Sequence, residues 1–206
     1  DSMVEFRFAT GDIDRDGYND LVLGTCNTLF VFDRFGNYLS GWPVDFRQGQ
    51  YLTYPNGTPV LADIDNDRML EIMVSTYRSV PSWEGWLEVY DHDGTIHNGF
   101  PYHIADGQFT SAPVVGDINR DGNLEIIVCG EDFTLLPDNP MRIWAFREDG
   151  STIPGFPVGV EDDYNHDPII ADINGDSYPD IIIGSSWGHN QNGYLYMNYL
   201  GVQRQL

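Results

Sequence analysis

Short apolar runs alternate along the chain with stretches that carry an oxygen donor at nearly every second position. "PVVGDINRDGNLEIIVCG", from Pro113 to Gly130, shows the order of parts. A brief apolar segment comes first, then nine residues from Asp117 to Glu125 rich in Asp, Asn and Glu, then a wholly apolar run. The same order recurs in "FRFATGDIDRDGYNDLVLG" from Phe6, "PVLADIDNDRMLEIMVS" from Pro59 and "PIIADINGDSYPDIIIG" from Pro168. The first Asp of each copy stands at 12, 63, 117 and 172, so the copies are 51, 54 and 55 residues apart. A near-constant period of this size marks a repeat architecture.

The patterning within a unit predicts strands. The runs beginning at Leu21, Glu71, Glu125 and Asp180 are β-branched-rich and apolar at consecutive positions, as expected of a short strand buried on both faces. A third segment, "TLFVFD", "GWLEVYD", "RIWAFR" and "GYLYMN" in successive units, alternates like a half-buried strand. It enters a Gly-bearing turn at Asp33, Asp91, Arg147 and Asn198, which predicts a hairpin. The fourth segment carries "GWPV", "GFPY" or "GFPV", and Pro suits an edge strand, where the missing N–H costs little. No 3.6-residue stripe is present, which excludes the flanking helices of an EF-hand. The expected fold is all-β: a β-propeller of four-stranded antiparallel blades, in four units at about 4–57, 58–111, 112–166 and 167–206, the last incomplete. The array is read as part of a larger propeller, or alternatively as a closed four-bladed ring.

Charge changes the picture next. The formal net charge is −22, from 32 acidic and 10 basic residues, which speaks against nucleic acid and anionic membranes as partners and for cations. Fourteen of the carboxylates lie in the four repeated loops, so the acidity has a local address. With 41% hydrophobic residues the chain can still bury a core. No run of 18 apolar residues predicts membrane insertion. The absence of an initiating Met and of a signal peptide suggests a mature or trimmed product. Cys26 and Cys129 are expected as buried thiols, and "NGT" at Asn56 fits the N-glycosylation pattern.

The loop pattern is D-x-[DN]-x-D-[GRS]-x-x-[DE]. Oxygen donors at positions 1, 3, 5 and 9, with a sharp turn at position 6 and the carbonyl of position 7, supply six or seven ligands. That number suits Ca²⁺ better than Mg²⁺, and the lack of His and Cys disfavours zinc and copper. Four such loops in phase also crowd like charges that need a counter-ion.

These repeats resemble the FG-GAP repeats of the integrin α-subunit propeller and the VCBS-type repeats of its prokaryotic extracellular relatives, over essentially the whole chain. The resemblance implies up to four structural Ca²⁺ ions, each held in the loop between the first two strands of a blade. The implied ligands are Asp12, Asp14, Asp16, the Tyr18 carbonyl and Asp20 in the first unit, and Asp63, Asp65, Asp67, the Met69 carbonyl and Glu71 in the second. The third has Asp117, Asn119, Asp121, the Asn123 carbonyl and Glu125, and the fourth Asp172, Asn174, Asp176, the Tyr178 carbonyl and Asp180. Position 6 departs from Gly at Arg68 and Ser177; a positive φ there would cost about 1–2 kcal/mol.

No nucleophile elbow, phosphate-binding Gly loop or HExxH is found, so no catalytic residue is assigned and the chain is read as non-enzymatic. His92, His97 and His103 are expected on the surface. The loops at the end of the blades away from the acidic turns are rich in aromatics and amides. Tyr51, Tyr54, Trp83, Trp86, Phe109, Tyr164 and Trp187 are the candidates there for holding a ligand, with packing between blades the competing role for the Trp residues. The expected function is a secreted or cell-surface, calcium-stabilised adhesion or binding module for a protein or glycan. The alternatives are a self-associating structural subunit of an extracellular assembly or filament and, third, part of a propeller-type polysaccharide lyase. Calcium loops of modest affinity fill where calcium is plentiful, which fits an extracellular location.

Overall fold

The apolar runs form strands, and the acidic and Gly-bearing segments turn the chain between them. The computed structural model describes residues 6–46, 53–79, 81–135, 141–160, 167–184, 195–199 and 202–205. The first sheet is an antiparallel meander of β1 (Arg7–Gly11), β2 (Asp20–Gly24), β3 (Thr28–Phe32) and β4 (Val44–Asp45). The second contains β5 (Tyr54–Pro55), β6 (Val60–Ala62), β7 (Glu71–Arg78), β8 (Glu84–Tyr90) and β9 (Tyr102–Ile104). The third repeats that plan with β10 (Gly107–Phe109), β11 (Val114–Gly116), β12 (Glu125–Asp132), β13 (Met141–Phe146) and β14 (Val158–Gly159). The fourth is a meander of β15 (Ile169–Ala171), β16 (Asp180–Gly184), β17 (Leu195–Tyr199) and β18 (Val202–Gln205). Among the described residues the only helical element is a 3₁₀ turn at Phe133–Leu135. The fold is all-β, in antiparallel sheets consistent with FG-GAP blades.

Three details differ from the sequence reading. In the second and third sheets the second strand runs for eight residues rather than four, and the innermost strand is broken in two against it. β6 pairs with the start of β7 and β5 with its end; β11 and β10 share β12 in the same way. Pro59 and Pro113 stand just ahead of β6 and β11, where the missing N–H would interrupt a continuous ladder. Consequently Tyr54–Pro55 and Gly107–Phe109 already belong to the second and third sheets, ahead of the unit starts read at 58 and 112. The fourth sheet, expected to be incomplete, has its fourth strand in β18.

The core is divided into walls between consecutive sheets. Val22, Leu29, Val31, Ile72 and Val74 pack between the first and second, with Trp42, Phe46 and Tyr90. Met73, Leu87, Val89, Ile126, Val128, Trp144 and Phe146 pack between the second and third. Ile127, Cys129, Ile143, Ala145, Ile181 and Ile183 pack between the third and fourth. Alternate residues of one strand thus serve opposite walls, Ile72 and Val74 facing one way and Met73 the other, because side chains alternate across a strand. That division explains why these strands read as unbroken apolar runs. The innermost strands follow one another, β1 beside β6, β6 beside β11 and β11 beside β15.

The first two walls are also latched at their rims. The glycine of "GWP" and "GFP" presses against the next unit's hairpin: a β-carbon on Gly41 would lie 1.7 Å from the Asp93 carbonyl oxygen, and one on Gly99 2.0 Å from that of Asp149. Both glycines have positive φ, so the backbone and the contact demand the same residue. The Trp42 indole N–H completes the first latch by donating to the His92 carbonyl at 3.0 Å. Cys129 is buried and Cys26 half-buried, both as free thiols. Asn56, read as a possible glycosylation acceptor, uses its amide nitrogen to donate to the Phe109 carbonyl at 2.6 Å, which ties the second sheet to the third.

Candidate metal centres and the opposite rim

The four acidic loops share one hydrogen-bonding skeleton. The N–H of position 6 (Gly17, Arg68, Gly122, Ser177) donates to Oδ2 of the position 1 Asp at 2.8–3.1 Å. The N–H of position 5 donates to Oδ1 of position 3, and that of position 7 to Oδ1 of position 5. Finally, the N–H of position 2 (Ile13, Ile64, Ile118, Ile173) donates to the position 9 carboxylate at 2.9–3.2 Å. Asp12 and Asp63 thereby spend one oxygen on the backbone and keep the other, whereas Asp117 and Asp172 accept backbone N–H groups on both oxygens.

The backbone turns as this skeleton requires. Position 6 has positive φ in every loop, including Arg68 at 76° and Ser177 at 72°. Position 4, which the sequence reading passed over, is also left-handed at Arg15, Asn66, Arg120 and Gly175. Arg15, Asn66, Arg68, Arg120 and Ser177 hold a positive φ with a side chain, a strain the loop must offset, whereas Gly17, Gly122 and Gly175 adopt it without that cost. An Asn or Gly at position 4 was the available signal, but the Arg residues in the first and third loops conceal it.

Cation fit can be tested on the free oxygens. Asp12, Asp14 and Asp20 each bring a carboxylate oxygen within 4.8 Å of the others, as do Asp63, Asp65 and Glu71. Asp12 Oδ1 and Asp63 Oδ1 are buried with no hydrogen-bond partner, a costly arrangement for a carboxylate unless a positive charge sits there. The position 9 acids Asp20, Glu71 and Glu125 are 1–3% exposed. Burial raises all three above the usual carboxylate range, with neighbouring loop carboxylates adding to it, and Glu71 is pushed up to about 7. An oxygen-binding divalent ion fits these donors. Asp16 and Asp67, at position 5, lie outside the two triplets, and Asp16 instead accepts from the Arg34 guanidinium at 2.5 Å. In the third loop Asn119 presents its oxygen to the Asp121 N–H at 2.7 Å and its amide nitrogen to Asp121 and Glu125.

The second loop has an added neighbour. A cavity of about 190 Å³ separates Asp65, Asp67 and Glu71 from the hairpin carrying Asp91, His92, Asp93 and His97. His97 was expected at the surface, yet it is 8% exposed, with Nδ1 on Asp91 at 2.5 Å. It stands where the other units place Leu39 and Ile153, and so it inherits a core position. His103 is exposed on the opposite rim, where its ring stacks on Trp86 at 4.9 Å.

The proposed ligand-face residues divide. Trp83 is 41% exposed and stacks on Tyr77 with centroids 6.0 Å apart; Tyr77 in turn meets Tyr54 at 5.7 Å. Phe133, not singled out from sequence, extends the row by meeting Trp83 edge-on at 6.4 Å. Phe109 and Trp86 are corrections, since Phe109 is fully buried and Trp86 is 5% exposed. Phe109 lies in the wall between the second and third sheets, edge-on to Trp144 at 5.3 Å, because β10 extends the sheet where a loop was expected. Tyr51, Tyr164 and Trp187 lie outside the described residues.

Comparison with known proteins bears on the repeat itself. The FG-GAP-like repeat family matches residues 63–128, and the FG-GAP repeat family matches residues 169–196. No curated protein matches. A Bacteroides caccae protein of unknown function, known from its crystal structure, aligns over all of this chain and 61% of its own, at 10% identity and a TM-score of 0.51. That likeness is one of fold alone. The V. cholerae biofilm matrix protein Bap1 aligns over 95% of this chain and 37% of its own, at 16% identity and a TM-score of 0.43. The chain thus spans less than two thirds of either structure. Two family matches fall on segments whose loops share one hydrogen-bonding skeleton, and the chain is an FG-GAP repeat protein.

Proposed function

We propose that the four sheets are blades of a calcium-stabilised β-propeller that works outside the cell as a non-catalytic module binding a protein or a glycan. The observation that carries the calcium reading is the pair of buried, partnerless oxygens, Asp12 Oδ1 and Asp63 Oδ1, beside converging carboxylates. In each loop the acids and Asn residues at positions 1, 3, 5 and 9, with the position 7 carbonyl, would hold the ion. Bound Ca²⁺ supplies charge that cancels carboxylate repulsion and fixes the turn from the first strand to the second, so its binding energy becomes folding energy. Leu21, Ile169 and Ile173 are exposed, which supports an arc of a larger ring over a ring closed at four.

Ligand binding belongs at the rim away from the acidic loops. The row Tyr54, Tyr77, Trp83 and Phe133 offers flat apolar faces, and the same rim carries Glu84 ion-paired with Arg78 and within hydrogen-bond distance of the His103 ring. Such a mixture suits stacking on a sugar ring or burial beneath a protein partner. Two measurements test the proposal. Calorimetric Ca²⁺ titration of the EDTA-treated chain should show saturable binding together with a large rise in melting temperature. Arrayed glycans and extracellular proteins should then yield a ligand whose binding is lost in Trp83→Ala while the melting temperature is kept. No calcium-dependent change in melting would refute the first half, and a ligand indifferent to Trp83 would refute the second.

A further inference from the structure

The hairpins of the first and third units bring an arginine to their acidic loops, and that of the second does not. In the first unit the Arg34 guanidinium meets Asp16 at 2.5 Å and lies 3.9 Å over the Tyr18 ring. In the third, the Asn123 N–H lowers the Asp121 carboxyl and the charge of Arg147 adds to that lowering. The second hairpin has His92 where the first has Arg34, and Asp91 where the third has Arg147. The cavity of about 190 Å³ between this hairpin and its loop is lined by five carboxylates and two imidazoles, and by no arginine. Like charges gathered around one cavity call for a cation.

His97 shows which kind of cation. Its side chain is nine-tenths buried and lines the cavity. The Asp91 carboxylate accepts from His97 Nδ1 at 2.5 Å, so in the neutral ring Nε2 carries the lone pair. Nε2 has no hydrogen-bond partner among the described residues. A carboxylate behind an imidazole that faces a cavity is the arrangement that orients histidine toward a metal. Packing alone does not ask for it, since the same position holds Leu39 in the first unit and Ile153 in the third. Across the cavity Asp67 accepts the Met69 N–H on Oδ1 and keeps Oδ2; on the hairpin Asp93 accepts from Thr95 on Oδ1 and keeps Oδ2.

We propose that this cavity binds one divalent transition ion of the zinc class, held by His97 Nε2, His92, Asp93 and Asp67. Asp91 is the positioning residue behind His97. Mixed imidazole and carboxylate donors suit such an ion, whereas the all-oxygen loops suit calcium. Asp67 can serve both ions, one oxygen each. The histidine donors stand wider apart than the 4.8 Å spread of the calcium triplet, so they turn inward about their side-chain torsions on binding. At about 30 Å³ per water the cavity admits the ion with waters completing its coordination. The ion ties hairpin to loop, as Arg34 does in the first unit.

Calorimetric Zn²⁺ titration of the full chain in saturating Ca²⁺ tests this, with both metals then measured by elemental analysis after dialysis. Wild type is expected to take up one Zn²⁺ with its calcium content unchanged. His97→Leu installs the first unit's residue, and His92→Arg installs that unit's built-in cation. Each should weaken Zn²⁺ binding by at least about 100-fold while calcium content and circular dichroism are kept, and Asp91→Asn should weaken it by about 10–100-fold. His92→Arg, at a half-buried position, decides the matter if His97→Leu does not fold. Zn²⁺ bound only in exchange for calcium would put the ion in the acidic loop and overturn the site. So would an affinity indifferent to both histidine variants, or a folded wild type that takes up no Zn²⁺. A chain that binds Zn²⁺ as described but no calcium would refute the calcium reading and leave this site standing, because its hairpin donors belong to neither calcium triplet.

Discussion

Glu88 is 1% exposed in the wall between the first and second sheets, where its counterparts on β3 and β13 are Phe30 and Trp144. It accepts a hydrogen bond from the Tyr90 hydroxyl at 2.6 Å and a long one from Thr76 Oγ1 at 3.5 Å. Burial is the larger effect and pushes its carboxyl from 4.5 up to about 7, against the lowering by these two hydroxyls. The Tyr90 phenol is raised in turn, chiefly by burial, with the charges of Glu88 and Asp45 adding to it. Below pH 4.5 the acid is neutral in both the folded and the unfolded chain, and its contribution to stability is fully present. Between 4.5 and about 7 the unfolded chain ionises while the folded chain keeps its proton, so stability falls as pH rises. At 1.36 kcal/mol per pH unit, the loss across that window is roughly 3 kcal/mol. Glu88→Gln keeps the shape and the acceptor for Tyr90 while removing the titration. Urea unfolding of both proteins, followed by near-UV circular dichroism in saturating Ca²⁺, should give equal stabilities at pH 4.5. By pH 8 the Gln variant should lead by roughly 3 kcal/mol. A difference that stays flat across this range would refute the reasoning, as would one that grows toward acid.

Three further outcomes follow from other sites. Arg68→Gly and Ser177→Gly relieve a positive φ and should each raise the urea midpoint by the equivalent of about 1 kcal/mol; a lowered midpoint would show that the side chain contributes more than its strain costs. Phe109→Ala empties a fully buried site and should cost about 3–5 kcal/mol in the same assay, whereas a surface ligand residue would cost little. Asp63→Asn removes the negative charge of a carboxylate whose Oδ1 is buried without a partner, so calorimetry should register the loss of one calcium equivalent; an unchanged stoichiometry would remove the second loop from the metal sites.

The repeated loops were legible because their chemistry is local. All four backbone N–H groups of the skeleton bond to side chains within seven residues, so identity and spacing alone determine the turn. The buried second strands were legible for a similar reason, since a wall on each side demands apolar residues at consecutive positions. The split of the inner strand was not legible. Tyr54–Pro55 and Gly107–Phe109 look like loop because their ladders close only with the far ends of β7 and β12, more than twenty residues on. The burial of Phe109 and Trp86 was hidden by the same distance. His97 was misread because a polar residue in a core position announces itself only through its partner, here Asp91.

What varies between units shows where a binding surface can arise. Loop positions 1, 5 and 9 stay acidic in all four copies, and each accepts a backbone N–H of its own loop. The walls are less demanding: Phe30, Glu88 and Trp144 share one register, and Glu88 is accommodated because Tyr90 carries a hydroxyl to it where the third sheet has Phe146. The rim away from the loops is held by neither requirement. There the second sheet bears Tyr54, Tyr77 and Trp83, reached by Phe133 from the third, and no equivalent row is prescribed by the repeat. A scaffold fixed at one end by charge and along its walls by volume leaves the other end free to change. Under the proposed function a ligand reads that aromatic row, and Trp83, its most exposed member among the described residues, is the side chain whose loss it should notice first.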